Sequence, residues 1–586
     1  SRGLGDVYKR QEYKHMPSLS PSTSVLGFRK AKHLLRRACF HYSKSTLNYF
    51  ATLTPAQAVS ELSLDATTPW IDPYDTTTNN QNGSVDGFWI HSGNPPSSYP
   101  YGQNKKRGIV SGWWWYNMMQ QNKLKHKLVF FLHTCFTVSK DNGAGKSSYF
   151  YDYLRLLDFY AYGSIKDLAK KITFDNAMLY YLDNTTNNKN NPNENYAREF
   201  LELFTIQKGP QIAEGNYTNY TEQDIQQAAK IFSGIKVKPL RDTIDPETGI
   251  PFGYVNVSQH DINSKTFSSA FNNTTISGGT SQSAVVDELG EFVNMVFGVP
   301  ETAKAYCRKL YRFFVRREWD SDVENYIIYP LSVHLINSNF NLLSTVQTLL
   351  QSQHFFDEDN TDASNEIVGG IIKPPLQFIS ELISLIDMPL PNPEASSSNP
   401  PSNWSTDQLD FYHFYWQFCH KTFFPGSGMN IFSPETVAGY PADYQGPDYD
   451  RSWFSSNTIV ARYKTIESLI TGKNQILGVQ TNSNGVNYYQ NIKVQFNSID
   501  FISNPNNITN PYDSTVLVSE LVELLFCESI TQSRLDYFIQ SLNDLDPGYW
   551  AGAWAEYVQN GNTVQVKTRL DALFTKLINA PEFQLM

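Results

Sequence analysis

His133, Glu199, Glu202, His260 and Asp261 are the residues of this chain whose types and settings point to metal or acid–base chemistry. Glu199 and Glu202 lie in NPNENYAREFLELF, residues 191 to 204. At about 100° per residue, Asn195, Arg198, Glu199, Glu202 and Thr205 share an arc of about 120°, and apolar side chains fill the rest. A helix of this kind buries most of its circumference, so its polar stripe is either a narrow strip of surface or an internal seam. Asn191 suits an N-cap, Pro192 the first helical position and Glu194 a capping box. Arg198 and Glu202, one turn apart, can pair. Glu199 is left without a local partner. A buried, unpaired carboxylate costs several kcal/mol, so a group from elsewhere is expected beside it.

Two histidine settings supply candidates. In the helix expected around KHKLVFFLHTCF, His126, His133 and Thr137 fall within about 40° of one another on a mainly apolar surface. The two histidines are about 10 Å apart along a straight axis and cannot share one metal. In SQHDINSKTF, His260 and Asp261 offer a base with its orienting carboxylate, or two ligands. Together the five residues suit a divalent metal or general acid–base work. The competing reading is a buried polar network that fixes helix packing. No HExxH or GxSxG is present, and Glu199 and Glu202 lack the adjoining histidine of a di-iron helix. GAGKSS fails as a phosphate-binding loop because Lys140 stands where the first glycine is needed.

The elements that must position these residues are helices. KLVFFLHTCFTV, YFYDYLRLLDFYAYGSIKDLAKKI, TEQDIQQAAKIFSGI, DELGEFVNMVFGV, ETAKAYCRKLYRFFV and VLVSELVELLFCESI all carry helical spacing. The expected fold is mainly α: a large multi-helix globular protein with a few short β-hairpins and long polar loops. GYVNVSQHD and VNYYQNIKVQF alternate as strands do. DATTPWIDPYDTTTNNQNGSVDGFW and INSKTFSSAFNNTTISGGTSQS read as surface excursions. PLPNPEASSSNPPSNWS, residues 389 to 405, reads as a linker between a main helical domain at 16–388 and a C-terminal helical subdomain with a hairpin at 406–586.

Composition narrows the function classes. The 586 residues are 40% hydrophobic and carry 47 basic against 57 acidic side chains, a net charge of −10. With a pI near 5.6, the electrostatic footprint of a nucleic-acid-binding protein is missing. The five cysteines are scattered among apolar neighbours and read as buried thiols. No apolar run reaches the ~18 residues of a membrane span. Residues 1–15, beginning SRGLGDVYKRQ, resemble a translated adapter tail, which makes Met16 the expected start; no signal peptide is visible in the sequence as it stands.

Ten segments then join into a resemblance: HLLRRACF (33–40), LVFFLHTCFTV (128–138), AMLYYLDN (177–184), PNENYAREFLELFTI (192–206), YTEQDIQQAAKIFSG (220–234), HDINSKTF (260–267), KLYRFFV (309–315), IKPPLQFI (372–379), FSPETVAGYP (432–441) and the closing APEFQLM. The series resembles the bacterial family known as domain of unknown function 1800, in the style of members from the Bacteroidetes. The resemblance implies a largely helical protein, often encoded beside a sulfatase-like family and often exported, and it implies no particular reaction. Three departures stand out. The family usually has glutamate at His126, a second histidine at Cys135 and glycine at His41.

Two function classes follow. One is a non-enzymatic cell-envelope or assembly protein, periplasmic by resemblance, acting with the neighbouring gene's product; the long Asn-, Thr- and Tyr-rich loops suit such contacts. The alternative is a metal-dependent hydrolase or oxidoreductase built on His133, Glu199, Glu202, His260 and Asp261, which requires those side chains to converge in one pocket. A third reading, sugar stacking on WWWY at 113–116, competes with the commoner use of aromatic runs as core.

Overall fold

Local signals set the helix boundaries in the computed structural model, which describes residues 16–65, 72–73, 89–91, 102–359, 367–391, 412, 414–473, 480–481, 487–488, 494–544 and 546–586. The helices that matter for the site are α1 (Gly27–Ala38), α2 (Gln103–Met118), α3 (Leu124–Cys135), α4 (Ser147–Tyr160), α5 (Glu194–Glu199), α6 (Glu222–Ile231), α7 (Gln282–Phe297), α8 (Pro300–Phe314) and α9 (Pro375–Leu385). Thr221 and Asp224 form a reciprocal capping box at the start of α6, Ser281 caps α7, and Pro300 opens α8. Each satisfies or dispenses with backbone N–H groups that a helix start leaves orphaned.

The fold is mainly α. Among the described residues the strands form four two-stranded antiparallel sheets. Tyr254–Val255 pairs with Ile235–Lys236, and Asn487–Tyr488 with Gln480–Thr481, within or beside the two alternating stretches of the sequence. The 262–283 stretch is more than a surface excursion. It holds the pair Lys265–Thr266 with Thr275–Ile276, buries Phe267, Phe271 and Ile276, and is pinned where Ser268 donates to Asp224 at 2.7 Å. Its polar composition hid three well-spaced apolar anchors. The 65–89 stretch and the 389–405 segment lie almost wholly outside the described residues.

One hydrophobic cluster runs from Leu26 to Phe583. At its centre is α2, whose Trp113, Trp114 and Trp115 are fully enclosed, so the WWWY run is core and offers no ring to a sugar. Gly112 lets α2 approach the segment that ends in a π-helical stretch at Gln417–Phe423: a Cβ there would stand 2.8 Å from the Trp416 nitrogen. All five cysteines are buried and unpaired. No helix among the described residues is long and apolar enough to cross a membrane.

Candidate functional site

The NENYARE helix departs from the expected start. Its N-cap is Asn193, which accepts from the Asn195 N–H at 3.0 Å, and α5 begins at Glu194. Asn191 is held in a bridge with Asn188, and the Asn187 side chain takes the Asn193 N–H at 3.0 Å, so Pro192 stays ahead of the helix. A second difference arises downstream. From Phe200 to Phe204 the chain is π-helical, which advances each residue by less than 100° and ends the α-helical register. Arg198 consequently pairs with Glu222 at 2.5 Å and Glu194 at 3.4 Å, while Glu202 turns to Lys208 at 2.5 Å and the Tyr220 hydroxyl at 3.4 Å. Glu199 has no hydrogen-bond partner among the described residues. Burial and then repulsion from Glu202 push its carboxyl up to about 7.

The other candidates are held by separate partners. His133 is buried against Phe130, Tyr153, Phe432 and Tyr440, with Nδ1 2.9 Å from the Tyr153 hydroxyl and Nε2 unpartnered. His260 directs Nδ1 to the Ser233 carbonyl at 2.7 Å and Nε2 to Glu288 at 2.8 Å; Lys265 reaches the same carboxylate at 2.6 Å. Asp261 accepts from the Asn263 N–H at 2.8 Å. Glu199 and Glu202 are thus neighbours, as are His260 and Asp261, but His133 belongs to neither pair. Among the described residues no group of three or more His, Cys, Asp or Glu could hold a metal ion.

A different constellation closes around a pocket of about 50 Å³. One wall is the C-terminal turn of α3 with Phe131, Thr134, Cys135 and, just beyond it, Thr137. A second is Lys309, Arg312 and Phe313 of α8. The third is Val437, Ala438, Asp443 and Tyr444, and Leu203 and Gln207 come from the end of the π-helical stretch. The lining draws on four of the ten segments behind the resemblance: LVFFLHTCFTV, PNENYAREFLELFTI, KLYRFFV and FSPETVAGYP.

Local structure explains why these groups meet. The π-helical end leaves carbonyls free, and α8 supplies their donors: Lys309 Nζ reaches the Leu203 carbonyl at 2.6 Å and the Tyr306 hydroxyl the Phe204 carbonyl at 2.5 Å. The 432–441 loop is tied down by Lys140 N–H to the Phe432 carbonyl at 2.8 Å and by the Tyr440 hydroxyl to the Asn430 carbonyl at 2.5 Å. Gly439, at φ +98°, brings the loop so near that a Cβ would touch Thr137 Oγ1 at 3.4 Å.

The electrostatics are unusual for so small a space. Arg312 lies over the Tyr449 ring at 4.0 Å and donates to the Tyr449 hydroxyl at 3.2 Å and the Asp443 carbonyl at 3.4 Å, but its Nε has no partner. Asp443 is half-buried with Oδ2 enclosed and unpartnered. Burial raises its carboxyl to about 7 against the opposing pull of Arg312. Burial also lowers the Lys309 amine. Two cations thus face a carboxyl that can be neutral, beside two hydroxyls and a thiol. In the sequence Cys135 reads only as a buried thiol, and Lys309, Arg312 and Asp443 carry no motif of their own; their shared signal is membership of the resembling segments or of the residues just beyond them.

No curated protein and no solved structure matches the chain. The family model described as a protein of unknown function (DUF1800) matches residues 33–585, and the chain therefore belongs to the DUF1800 family.

Proposed function

We propose that this protein binds a small ligand, and that its working site is the pocket between α3, α8 and the loop leading to Asp443. The observation that carries this reading is the convergence there of four separate segments with polar atoms, Arg312 Nε and Asp443 Oδ2, that the protein itself leaves unpartnered. Buried polar atoms are nearly always paired, and an exception at a pocket wall is accounted for by a ligand that supplies the missing partner. A thermal-shift screen of anionic, neutral and cationic molecules of a few heavy atoms tests it, with Ala438→Leu as the filled-pocket control. The expected result is a saturable stabilisation by some members that Ala438→Leu abolishes; no stabilisation by any class would refute the reading.

An assembly role, contact with another envelope protein, is a second reading and is supported by a different observation. Tyr326, Tyr329, Val333 and Ile336 are exposed at spacings of three and four along residues 324–337, an apolar stripe on one helix face. The alternative, a metal-dependent hydrolase or oxidoreductase built on His133, Glu199, Glu202, His260 and Asp261, needs those side chains in one pocket, and it is the weaker reading because His133 packs on Tyr153 while His260 is held by Glu288.

A further inference from the structure

We propose that the pocket's ligand is a small oxyanion, held by Lys309 and Arg312, and that Asp443 acts as a hydrogen-bond donor which admits the anion only while it carries its own proton. The inference rests on the pocket being the working site and adds the chemical class of the ligand and the residue that regulates its entry.

Size sets the first limit. A cavity of about 50 Å³ holds roughly four waters, since each needs ~10–15 Å³, so the bound group has about three to five heavy atoms. Charge sets the second. Lys309 uses one of its three N–H bonds on the Leu203 carbonyl, which leaves two for a ligand. Arg312 is fixed by its stacking on Tyr449 and by two weak hydrogen bonds, and its Nε–H is free. These donors come from one face of α8, one turn apart, as oxyanion recognition requires.

Asp443 would repel such a guest if ionised. The groups facing it are Lys309 and Arg312 from α8, Cys135 from α3, and Tyr440 and Tyr444 of its own segment; Leu203 and Gln207 from the π-helical side do not titrate. Cys135, pushed up to about 11 by burial, stays neutral across the physiological range. Asp443 therefore sits opposite the cations as the acidic group that titrates near neutrality, and its enclosed Oδ2 becomes a donor when protonated. The protonated carboxyl and the two basic side chains can then each turn an N–H or O–H donor to the anion, whereas the Thr134 and Thr137 hydroxyls spend their protons on the Phe131 and His133 carbonyls and add none.

Isothermal titration with sulfate and with acetate, at constant ionic strength with chloride as the background ion, separates the possibilities. Neither probe changes charge between pH 6 and 8.5. The expected result is saturable binding of at least one probe to the full-length protein, weakening by up to tenfold per pH unit above about 7. Asp443→Asn keeps a neutral donor of the same shape and is expected to bind with a flat pH profile. Lys309→Met is expected to lose at least tenfold, and Ala438→Leu, which leaves every charge in place, guards against misreading a folding defect. Binding that is equally pH-dependent in wild type and Asp443→Asn overturns the role of Asp443. Binding indifferent to both Lys309→Met and Ala438→Leu is adventitious and overturns the site. A pocket that takes neutral ligands in the screen but neither anion overturns the oxyanion assignment and leaves the binding reading standing, whereas a pocket that takes nothing ends both.

Discussion

The Nδ1 atom of His133 lies 2.9 Å from the Tyr153 hydroxyl oxygen, and that hydroxyl lies 2.7 Å from the Phe136 carbonyl. A carbonyl can only accept, so the tyrosine spends its single proton on Phe136 and must accept from His133. The histidine proton is thereby placed on Nδ1, and Nε2 is left as a bare lone pair among aromatic rings. Burial lowers the imidazole to about 3.

Tyr153→Phe removes the acceptor of one buried N–H and the donor to one buried carbonyl. The expected cost is about 1–3 kcal/mol, read from urea unfolding at neutral pH. The pH dependence has a definite sign. Between the ordinary histidine value of 6.5 and about 3, the unfolded chain binds a proton that the folded chain refuses. Stability is full above 6.5 and falls as the pH drops through that window. His133→Gln should flatten the fall relative to wild type; an unchanged slope would show that His133 is solvated.

Lys127 makes the opposite kind of test, in which removing a charge stabilises. Its side chain is buried in α3, with the ammonium 4.2 Å from the centre of the Phe40 ring. Burial lowers it to about 7, against the small upward pull of Cys39. From about 7 up to the ordinary 10.5 the unfolded chain holds more protons, so this group makes the folded state gain stability as pH rises. Lys127→Met keeps the length and removes the charge. An increase of about 1–4 kcal/mol at pH 7 is expected, shrinking towards pH 10, with the midpoint of thermal unfolding as the readout.

Gly112 tests the closeness of α2 to the segment after residue 411. A Cβ would meet the Trp416 nitrogen at 2.8 Å and the Tyr412 carbonyl oxygen at 3.0 Å, both backbone atoms that cannot swing aside. Gly112→Ala gains helix propensity of about 1 kcal/mol and loses about 1–3 kcal/mol to overpacking. Net destabilisation in a calorimetric scan is the expected outcome; net stabilisation would mean the two segments are farther apart.

How far the sequence carried these conclusions depends on the range of the interaction. Helical spacing and the burial of the WWWY run follow from local pattern, and the fold class was legible for that reason. The cap at Asn193 lies two residues past the expected one because the turn before it, where the Asn187 side chain takes the Asn193 N–H, holds Asn191 and Pro192 outside the helix, and no capping rule describes that turn. The Arg198–Glu202 pairing failed because no sequence rule announces the π-helical turn at Phe200. The pocket was out of reach altogether. Lys309 and Arg312 look like the wet face of α8, and only the tertiary arrangement sets them opposite Asp443.

His260, first considered as a catalytic base, offers the sharpest separation of structural from chemical roles. Both of its ring nitrogens face acceptors, the Ser233 carbonyl at 2.7 Å and the Glu288 carboxylate at 2.8 Å, and Lys265 meets the same carboxylate at 2.6 Å. Glu288 also accepts the Gly279 N–H at 2.7 Å, which fixes the loop ahead of α7 to the helix itself. Every member of this clasp is buried, so loss of the one carboxylate leaves Lys265 in the core with only the Asp261 carbonyl and, at 3.9 Å, the Asp261 carboxylate to answer it. Glu288→Gln keeps the volume and removes the charge, and breaking a buried pair in this way costs about 3–5 kcal/mol. Glu288→Gln combined with Lys265→Met removes opposite charges together and should recover most of that loss. Chemical unfolding of the two variants checks the argument. A double variant no better than the single one would mean that the clasp does more than balance charge, and would return His260 to consideration as a functional base.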